Sequence, residues 1–206
     1  MPSQKSTAAT LAPLEPKRQR GRLRVAAILD AGAAVFAEKG YDAATMTEIA
    51  ARANTAIGSL YRFFPTKDVL AEALLARYSA LVDTALDGVA ARVADLSPAG
   101  LADAFVDLML GLEEHRGAAI VLVDARSDAA DKRAFLRNAL RQRIATILMT
   151  ATGTLPRAKA EIMAVLLLYV LKSLPLFAEE EAREPLIAEA RELARLYVAR
   201  AFDHLP

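Results

Sequence analysis

The stretch YDAATMTEIAARANTAIGSLYRFFPTKDVL, residues 41–70, decides the fold of this chain. Thr45 and Glu48 have the spacing of a capping box, in which the threonine oxygen accepts from the glutamate amide and the glutamate side chain accepts from the threonine amide. We therefore predict a helix over 46–53. Asn54 favours the end of this helix, because asparagine tolerates the left-handed backbone that ends many helices.

A second short helix is predicted over 57–64, and Pro65 ends it. Two short helices joined by a tight turn form a helix-turn-helix, whose second helix can enter the major groove of DNA. A longer helix over 23–39 comes before them, presents one apolar face and stops at Gly40. The predicted core of these three helices consists of Phe36, Ile49, Leu60 and Phe64.

This stretch resembles the DNA-binding domain of the tetracycline-repressor (TetR) family of transcriptional regulators, over roughly residues 22–75. Three segments carry the resemblance: FAEKGY at 36–41, TMTEIA at 45–50 and IGSLYRFFPTK at 57–67. Each segment alone is a weak signal, but the ordered set with this spacing is specific. The resemblance implies an all-α, DNA-binding transcriptional regulator.

The chain departs from the family pattern at three positions. Asn54 stands where glycine is common, which its left-handed tolerance explains. Ala56 stands where a serine often caps the second helix, and the missing cap should cost about 1 kcal/mol. Phe63 stands where histidine or tyrosine is common, so one phosphate contact is in doubt.

The resemblance implies that the second helix contacts DNA. In families of this type the positions of Tyr61 and Lys67 often hold phosphates, Arg62 suits bidentate readout of guanine, and Ile57 suits contact with a thymine methyl group. Gly58 would let the helix approach DNA closely. The candidate DNA-binding residues are Thr45, Thr47, Ala56, Ile57, Gly58, Ser59, Tyr61, Arg62 and Lys67.

Most of these residues could instead have a purely structural or solvent-exposed role. For Thr45 the capping role is a stronger explanation than a phosphate contact. Ile57 and Gly58 are also compatible with simple packing against the preceding helix. The polar side chains of Ser59, Tyr61 and Arg62 are also what an ordinary solvated helix face would show.

Charge is distributed unevenly along the chain. Residues 1–70 carry 10 Lys and Arg against 6 Asp and Glu, whereas residues 71–206 carry 16 against 19. A basic first third on an acidic body indicates a polyanionic partner for the first third. Within it, the basic run at 17–24 is either a DNA-binding arm or a solvated helix start, and 1–16 is predicted to be disordered.

Signals for an enzyme or a metal centre are poor. The chain has no cysteine, which excludes disulfides and cysteine-based zinc sites, and its only histidines are His115 and His204. Neither histidine follows a glutamate at the spacing of di-iron bundles, and no phosphate-binding glycine motif occurs. We predict no cofactor. A helical enzyme or metal-binding bundle, and a nonspecific DNA-packaging protein, are the alternatives to a regulator.

Nothing in the sequence predicts secretion or a membrane span. The N-terminus lacks an apolar signal segment, and the most apolar run, 164–171, is shorter than the roughly 20 residues that a bilayer requires. We predict a cytoplasmic protein. We divide it into a DNA-binding domain over 17–66 and an effector-binding and dimerisation domain over 67–206. Helices in the latter are predicted over 67–94, 98–115, 118–125, 127–152, 154–177 and 182–204.

The resemblance implies that the last two helices form a four-helix bundle in a homodimer. The alternative is that they pack within one subunit. The run AVLLLYVL is apolar all round, which indicates a helix covered on both sides. The candidate interface residues are Ile162, Val165, Leu166, Tyr169, Val170, Ser173, Leu186, Ala190, Leu193, Tyr197 and Ala201.

The resemblance also implies an effector pocket among the middle helices. Methionine and aromatic residues at helical spacing are more often core, so the lining set is a hypothesis. The scarcity of buried charge indicates a small apolar effector, whose binding would release a repressor from a palindromic operator in double-stranded DNA. The candidate lining residues are Tyr78, Phe105, Met109, Met149, Met163 and Phe177.

Overall fold

The computed structural model describes residues 19–125 and 129–202. Every regular element within these two ranges is helical, which confirms the predicted all-α class. The predicted disordered tail at 1–16 and the first two residues of the helix predicted over 127–152 lie outside the described residues. In chain order the helices are α1 (Gln19–Ala43), α2 (Met46–Arg52), α3 (Ile57–Phe63), α4 (Lys67–Ala90), α5 (Pro98–Gly111), α6 (Glu113–Asp124), α7 (Ala129–Thr152), α8 (Arg157–Ser173) and α9 (Arg183–Ala199).

Local signals in the sequence account for several helix ends. Gly40 has φ 79°, a left-handed value that favours glycine, and it interrupts α1 where we predicted its end. The hydroxyl of Thr66 accepts from the amide of Val69 at 3.2 Å at the start of α4. The hydroxyl of Ser97 accepts from the amide of Gly100 at 3.1 Å at the start of α5. Such bonds satisfy amides that have no partner inside their own helix.

Two predicted helices have different bounds in the structure. The prediction of one helix over 98–115 is wrong, because α5 ends at Gly111 and α6 begins at Glu113 after a turn at Leu112. Helix α6 also absorbs the short helix that we predicted over 118–125. Glycine near a helix end is a stop signal, and the sequence analysis did not use it here.

The last helices also end earlier than predicted. Helix α8 stops at Ser173 and continues as a 3-10 stretch over Leu174–Glu179, since Pro175 has no amide hydrogen for an α-helical bond. Helix α9 stops at Ala199 instead of continuing to 204. Helix α4 stops at Ala90, ahead of a 3-10 turn over Val93–Asp95.

The helices form two compact units. Of the described residues, the first unit contains 19–78 and 117–125, and the second contains 79–116 and 129–202. This division differs from our predicted domain boundary at 66/67, because the first turns of α4 and the end of α6 pack with the helix-turn-helix.

The core of the first unit is the one predicted, with additions. Phe36, Ile49, Leu60 and Phe64 are all fully buried. Leu122 from α6 joins this cluster and supplies apolar cover that a helix-turn-helix of about 50 residues lacks on its own. The further members are Ile28, Phe63, Val69, Leu70 and Leu74.

In the second unit α5 packs on α9, and α7 packs on α8. An ion-pair network ties the first pair of helices together. Arg195 donates to the two carboxylate oxygens of Asp103 at 2.9 and 2.8 Å, and Arg191 donates to Asp103 at 3.3 Å and to Asp107 at 2.7 Å. The buried apolar residues of this unit include Leu101, Phe105, Leu148, Met163, Leu167 and Val198.

One segment of the described chain, Arg157–Ala178, is long and apolar enough by composition to cross a membrane. It is longer than the run at 164–171 that the sequence analysis considered. The segment consists of α8 and most of the following 3-10 stretch, and α8 packs against α5, α7 and α9. Core helices of soluble proteins have the same length and composition, so this segment is weak evidence for a membrane span.

Candidate DNA-binding surface

The capping box at the start of α2 is formed as predicted. The amide of Glu48 donates to the hydroxyl of Thr45 at 3.2 Å, and the amide of Thr45 donates to the Glu48 carboxylate at 3.2 Å. Hydrogen bonds from Lys39 and from Thr45 lower the pKa of Glu48 below its usual value. Thr45 is therefore explained by its capping role, while the exposed Thr47 beside it has no such role.

The turn between α2 and α3 also has the predicted backbone. Asn54 has φ 47°, in the left-handed region where asparagine is one of the few tolerated residues. The next residue, Thr55, donates its amide to the carbonyl of Ala50 at 2.9 Å. Ala56 is the N-cap of α3 and makes no side-chain capping bond, as its methyl group requires.

Helix α3 has one buried and one exposed face. Leu60 and Phe63 are buried, whereas Ile57 is 40 % exposed and Tyr61 is 47 % exposed. Arg62 is also exposed, with its guanidinium carbon 5.0 Å from the centre of the Phe63 ring. Burial of Phe63 was not anticipated, and it explains why this position does not need the histidine or tyrosine common in the family.

Gly58 lies on the exposed face of α3 with open space beside it. A Cβ atom added at this position would meet no atom within 4 Å. Close packing inside the chain therefore does not require glycine here, which removes that alternative. An exposed glycine in a helix costs roughly 1 kcal/mol relative to alanine, so the residue needs a reason outside the chain.

Lys67 was predicted to contact a phosphate, but in the structure it binds backbone carbonyls of the same chain. Its ammonium group donates to the backbone carbonyls of Tyr41, Asp42 and Ala44 at 2.7, 3.1 and 3.1 Å. The nitrogen also lies 4.5 Å from the centre of the Tyr41 ring. An ammonium group has three donors, and all three are used here. Lys67 therefore secures the end of α1, and we remove it from the phosphate contacts.

The sequence analysis did not predict two other hydrogen bonds around the helix-turn-helix, because they join residues that are distant in sequence. Arg52, at the end of α2, donates to Glu38 of α1 at 2.6 Å, and this bond lowers the pKa of Glu38. The hydroxyl of Tyr41 donates to Asp68 of α4 at 2.6 Å. The sequence offered only one sign of these bonds, namely charged residues near helix ends that have no partner close in sequence.

The candidate interface residues divide into three groups. Ile162, Leu166 and Tyr169 lie one turn apart on α8 and are exposed, as is Leu193 on α9. Ala190 and Ala201 are instead buried within the chain by the packing of the last helix, so they are unavailable to a partner. The other candidates, Val165, Val170, Ser173, Leu186 and Tyr197, are partly buried. Leu196, which the sequence analysis omitted, is also exposed.

The candidate effector residues do not share one environment. Phe105, Met109 and Met163 are buried members of the second unit's core. Met149 and Phe177 are partly buried in the same unit, whereas Tyr78 falls in the first unit. Sequence spacing alone could not separate core positions from positions near a ligand.

Comparison with known proteins agrees with this arrangement. The sequence profile described as "Bacterial regulatory proteins, tetR family" matches residues 28–74. The HTH-type transcriptional repressor KstR of Mycobacterium tuberculosis is 39% identical over 79 residues, which are 38% of this chain and 36% of that protein. KstR of Mycolicibacterium smegmatis is 38% identical over 82 residues, which are 40% of each protein.

Solved structures extend the similarity over most of the chain. A TetR-family transcriptional regulator from Streptomyces coelicolor is 28% identical with a TM-score of 0.57, covering 86% of this chain and 99% of that one. A TetR-like transcriptional regulator from Rhodococcus sp. RHA1 is 22% identical with a TM-score of 0.64, covering 88% and 97%. The latter likeness concerns the fold alone.

The fold and the exposed α3 define an all-helical protein with an N-terminal helix-turn-helix of the DNA-binding kind. The profile match over residues 28–74 and these relatives identify the N-terminal part of the chain as a DNA-binding domain of the TetR type. The matched part spans less than half the length of the two KstR proteins.

Proposed function

We propose that this chain is a sequence-specific transcriptional repressor that binds a palindromic operator as a homodimer and leaves it when a small effector binds. The observation that carries the proposal is the outer face of α3, where Ile57, Gly58, Tyr61 and Arg62 face solvent while Leu60 is buried. The two matching relatives named above are transcriptional repressors by name. A cytoplasmic location follows from a function on DNA.

The side chains on this face suit different parts of the duplex. Arg62 can donate to the two acceptors on a guanine edge, and Ile57 can contact a thymine methyl group. The hydroxyl of Tyr61 can donate to a phosphate, which positions the helix without reading sequence. Gly58 leaves room for the sugar-phosphate backbone or a base edge. Thr47 and Ser59 remain candidate phosphate contacts.

The dimer is proposed to form through exposed apolar side chains of α8 and α9. Large apolar residues exposed together on a protein surface commonly mark an interaction site. Two copies related by a two-fold axis would present two α3 helices to half-sites about 34 Å apart or a multiple of that distance. The proposed interface consists of Ile162, Leu166, Tyr169, Leu193 and Leu196, flanked by the partly buried candidates.

The test is selection of binding sites from random double-stranded DNA by the full chain. We expect enrichment of an inverted repeat, and an affinity at least about 10³-fold above that for unrelated DNA at physiological salt. Binding that is equal on all sequences would contradict the proposal and favour the alternative of a DNA-packaging protein. A salt series on both DNA classes separates phosphate contacts from base readout.

A further inference from the structure

Four partly buried cations belong to the second unit. Arg137 and Arg141 are one turn apart on α7, Lys172 is near the end of α8, and Arg116 is in the first turns of α6. The uncharged, apolar effector that the sequence indicated gives these residues no role.

The two arginines of α7 lie on the packing side of their helix. Positions 137, 141, 144 and 148 follow the spacing of one helical stripe, and Ile144 and Leu148 on that stripe are buried. Burial of the Arg141 Nε atom agrees with this direction. The stripe therefore changes from apolar side chains to cations as it approaches the start of α7.

Three of these cations lie near one another across the contact between α7 and α8. The two helices pack together and are joined by only four residues, so they run antiparallel. The guanidinium carbon of Arg141 lies 5.9 Å from the centre of the Tyr169 ring. One turn back on α7 is Arg137 and one turn forward on α8 is Lys172, which places these two residues beside each other.

The cations lack the partners that buried charges usually have. Among the residues that the structure describes, no carboxylate lies within salt-bridge distance of any of the four. Glu113, one turn from Arg116, is bound instead to Arg183 at 2.8 Å. Burial lowers the pKa of Lys172, and the charges of the three arginines lower it further.

One nitrogen of the cluster, Arg141 Nε, is buried without a hydrogen-bond partner. In the described ranges the other such side-chain atoms are His115 Nδ1, next to Arg116 in sequence, and Arg183 Nε. Buried polar atoms are nearly always paired in folded proteins, and those that are not need an explanation such as a ligand. Clustered like charges with unpaired donors are typical of a site that binds an anion.

We propose that Arg137, Arg141 and Lys172 bind the anionic oxygen group of a small organic molecule, either a carboxylate or a phosphate, and that this molecule is the effector. The apolar side chains of Ile144 and Leu148, further along the same stripe, would contact its uncharged part. The anion-binding half of the proposal stands alone. The effector half rests on the proposed function as a repressor.

Three probes with one tail test the binding half by calorimetry on the full chain. They are octanol, octanoate and octyl phosphate, which share a chain of eight carbons and differ in the head group. We expect octanoate or octyl phosphate to bind at least about tenfold more tightly than octanol, because charge-assisted hydrogen bonds to the cations are stronger than bonds to a neutral hydroxyl. The tighter of the two identifies the head group. Equal affinity for all three would overturn the proposal.

Two substitutions connect the binding to the cluster. Lys172→Met and Arg137→Gln should each weaken binding of the tighter anionic probe by about tenfold or more. Lys159→Met is the matched control, since it removes a lysine from the same helix at the opposite end, and it should leave the affinity unchanged. Loss of affinity in the control but not in Lys172→Met would overturn the assignment.

Thermal unfolding without ligand distinguishes a binding site from a structural ion-pair network. Removing a charge held among like charges should stabilise the protein, so Lys172→Met should raise the unfolding midpoint by roughly 2–4 °C. A drop of similar size would mean that Lys172 has a stabilising partner, and would overturn the proposal. Lys159→Met should change the midpoint little.

The effector half is tested by adding the tighter probe to the complex of protein and selected DNA. Weaker DNA binding by wild type, but not by Lys172→Met, supports it. Unchanged DNA binding by a protein that does bind the anion would overturn the effector assignment and leave the site. Failure to select any DNA site would instead contradict the proposed function, and the calorimetry would be unaffected.

Discussion

At the scale of single residues, the buried side chains of α3 stabilise the fold, whereas its exposed side chains are available for contact with DNA. Leu60 and Phe63 hold the helix in the core, and neither can reach a duplex. Gly58 and Arg62 contribute nothing to that core. Substitution on the exposed face should therefore change DNA binding without loss of folding.

Gly58 provides the sharpest separation of the two effects. Gly58→Ala should stabilise the protein by about 0.5–1 kcal/mol, because alanine fits the open space and favours the helix. Gly58→Leu should also fold, yet bind the selected operator far more weakly, because its side chain occupies the space needed by DNA. Denaturant unfolding and DNA titration measure the two effects. Operator affinity equal to wild type in Gly58→Leu would show that α3 does not approach DNA at this position.

Arg62 and Tyr61 should differ in what they contribute. Arg62→Ala should cost about 1–3 kcal/mol on the selected operator and relax preference at one base pair. Tyr61→Phe should weaken binding to all sequences alike, since a phosphate contact carries no sequence information. Arg92→Ala, on an exposed arginine of the second unit, is the control. Repeating the site selection with each variant would reveal an altered preference, and an unaltered one for Arg62→Ala would remove it from base readout.

At the scale of elements, the helix-turn-helix is positioned by bonds between helices as much as by its own capping. Lys67 connects the start of α4 to the last carbonyls of α1, and Arg52 connects α2 to α1. These bonds join α2 and α4, the helices on either side of α3, to α1. The position of Lys67 beside the recognition helix suggested a DNA contact, while the three carbonyls assign it to the scaffold.

Lys67→Met should consequently reduce stability. It leaves three carbonyls without their donor, two in the last turn of α1 and that of Ala44 just after it, and we expect a loss of about 1–3 kcal/mol in the free energy of unfolding. The slope of DNA affinity against salt should stay as in wild type, because no phosphate contact is lost. A variant of normal stability whose slope falls by about one unit would return Lys67 to the phosphate contacts.

The link between α5 and α9 should show up in the pH dependence of stability. Hydrogen bonds from Arg195 and then Arg191 lower the pKa of Asp103 below its ordinary value. Its contribution is therefore fully present above about pH 4 and is lost as pH falls through the lowered pKa. Asp103→Asn should cost about 1 kcal/mol at pH 7 and progressively less as the pH falls below about 4. A cost that does not change with pH would show that charge is not the basis of the link.

Local and distant effects explain which elements the sequence could predict. The capping box at Thr45, the left-handed Asn54 and the cap at Ser97 each depend on residues within a few positions, and all three are present. The role of Lys67 and the addition of α6 to the first core depend on residues tens of positions away. No single-sequence pattern contains that information.

At the scale of the whole molecule, a repressor of palindromic DNA requires a second copy of the chain. The interface that we propose rests on exposed apolar residues, and because Ala190 and Ala201 are buried, only the outer faces of α8 and α9 are accessible to a second copy. Tyr169 belongs both to this proposed interface and to the contact with Arg141. An anion bound at Arg141 would therefore lie next to the residues that join the two copies, which offers a route from ligand to the spacing of the two α3 helices.

Leu193→Glu tests the interface. A carboxylate at this exposed position should leave each subunit folded, since the side chain does not contribute to the subunit core. Burying that charge in a dimer without a partner would be costly, so we expect monomers in sedimentation. Each monomer holds one α3 helix, and its affinity for the inverted repeat should fall towards that for a single half-site.

Leu176→Glu is the matched control, because Leu176 is also exposed but lies in the 3-10 stretch outside the proposed interface. This variant should remain dimeric. An intact dimer in Leu193→Glu together with a monomer in Leu176→Glu would move the interface to the end of α8.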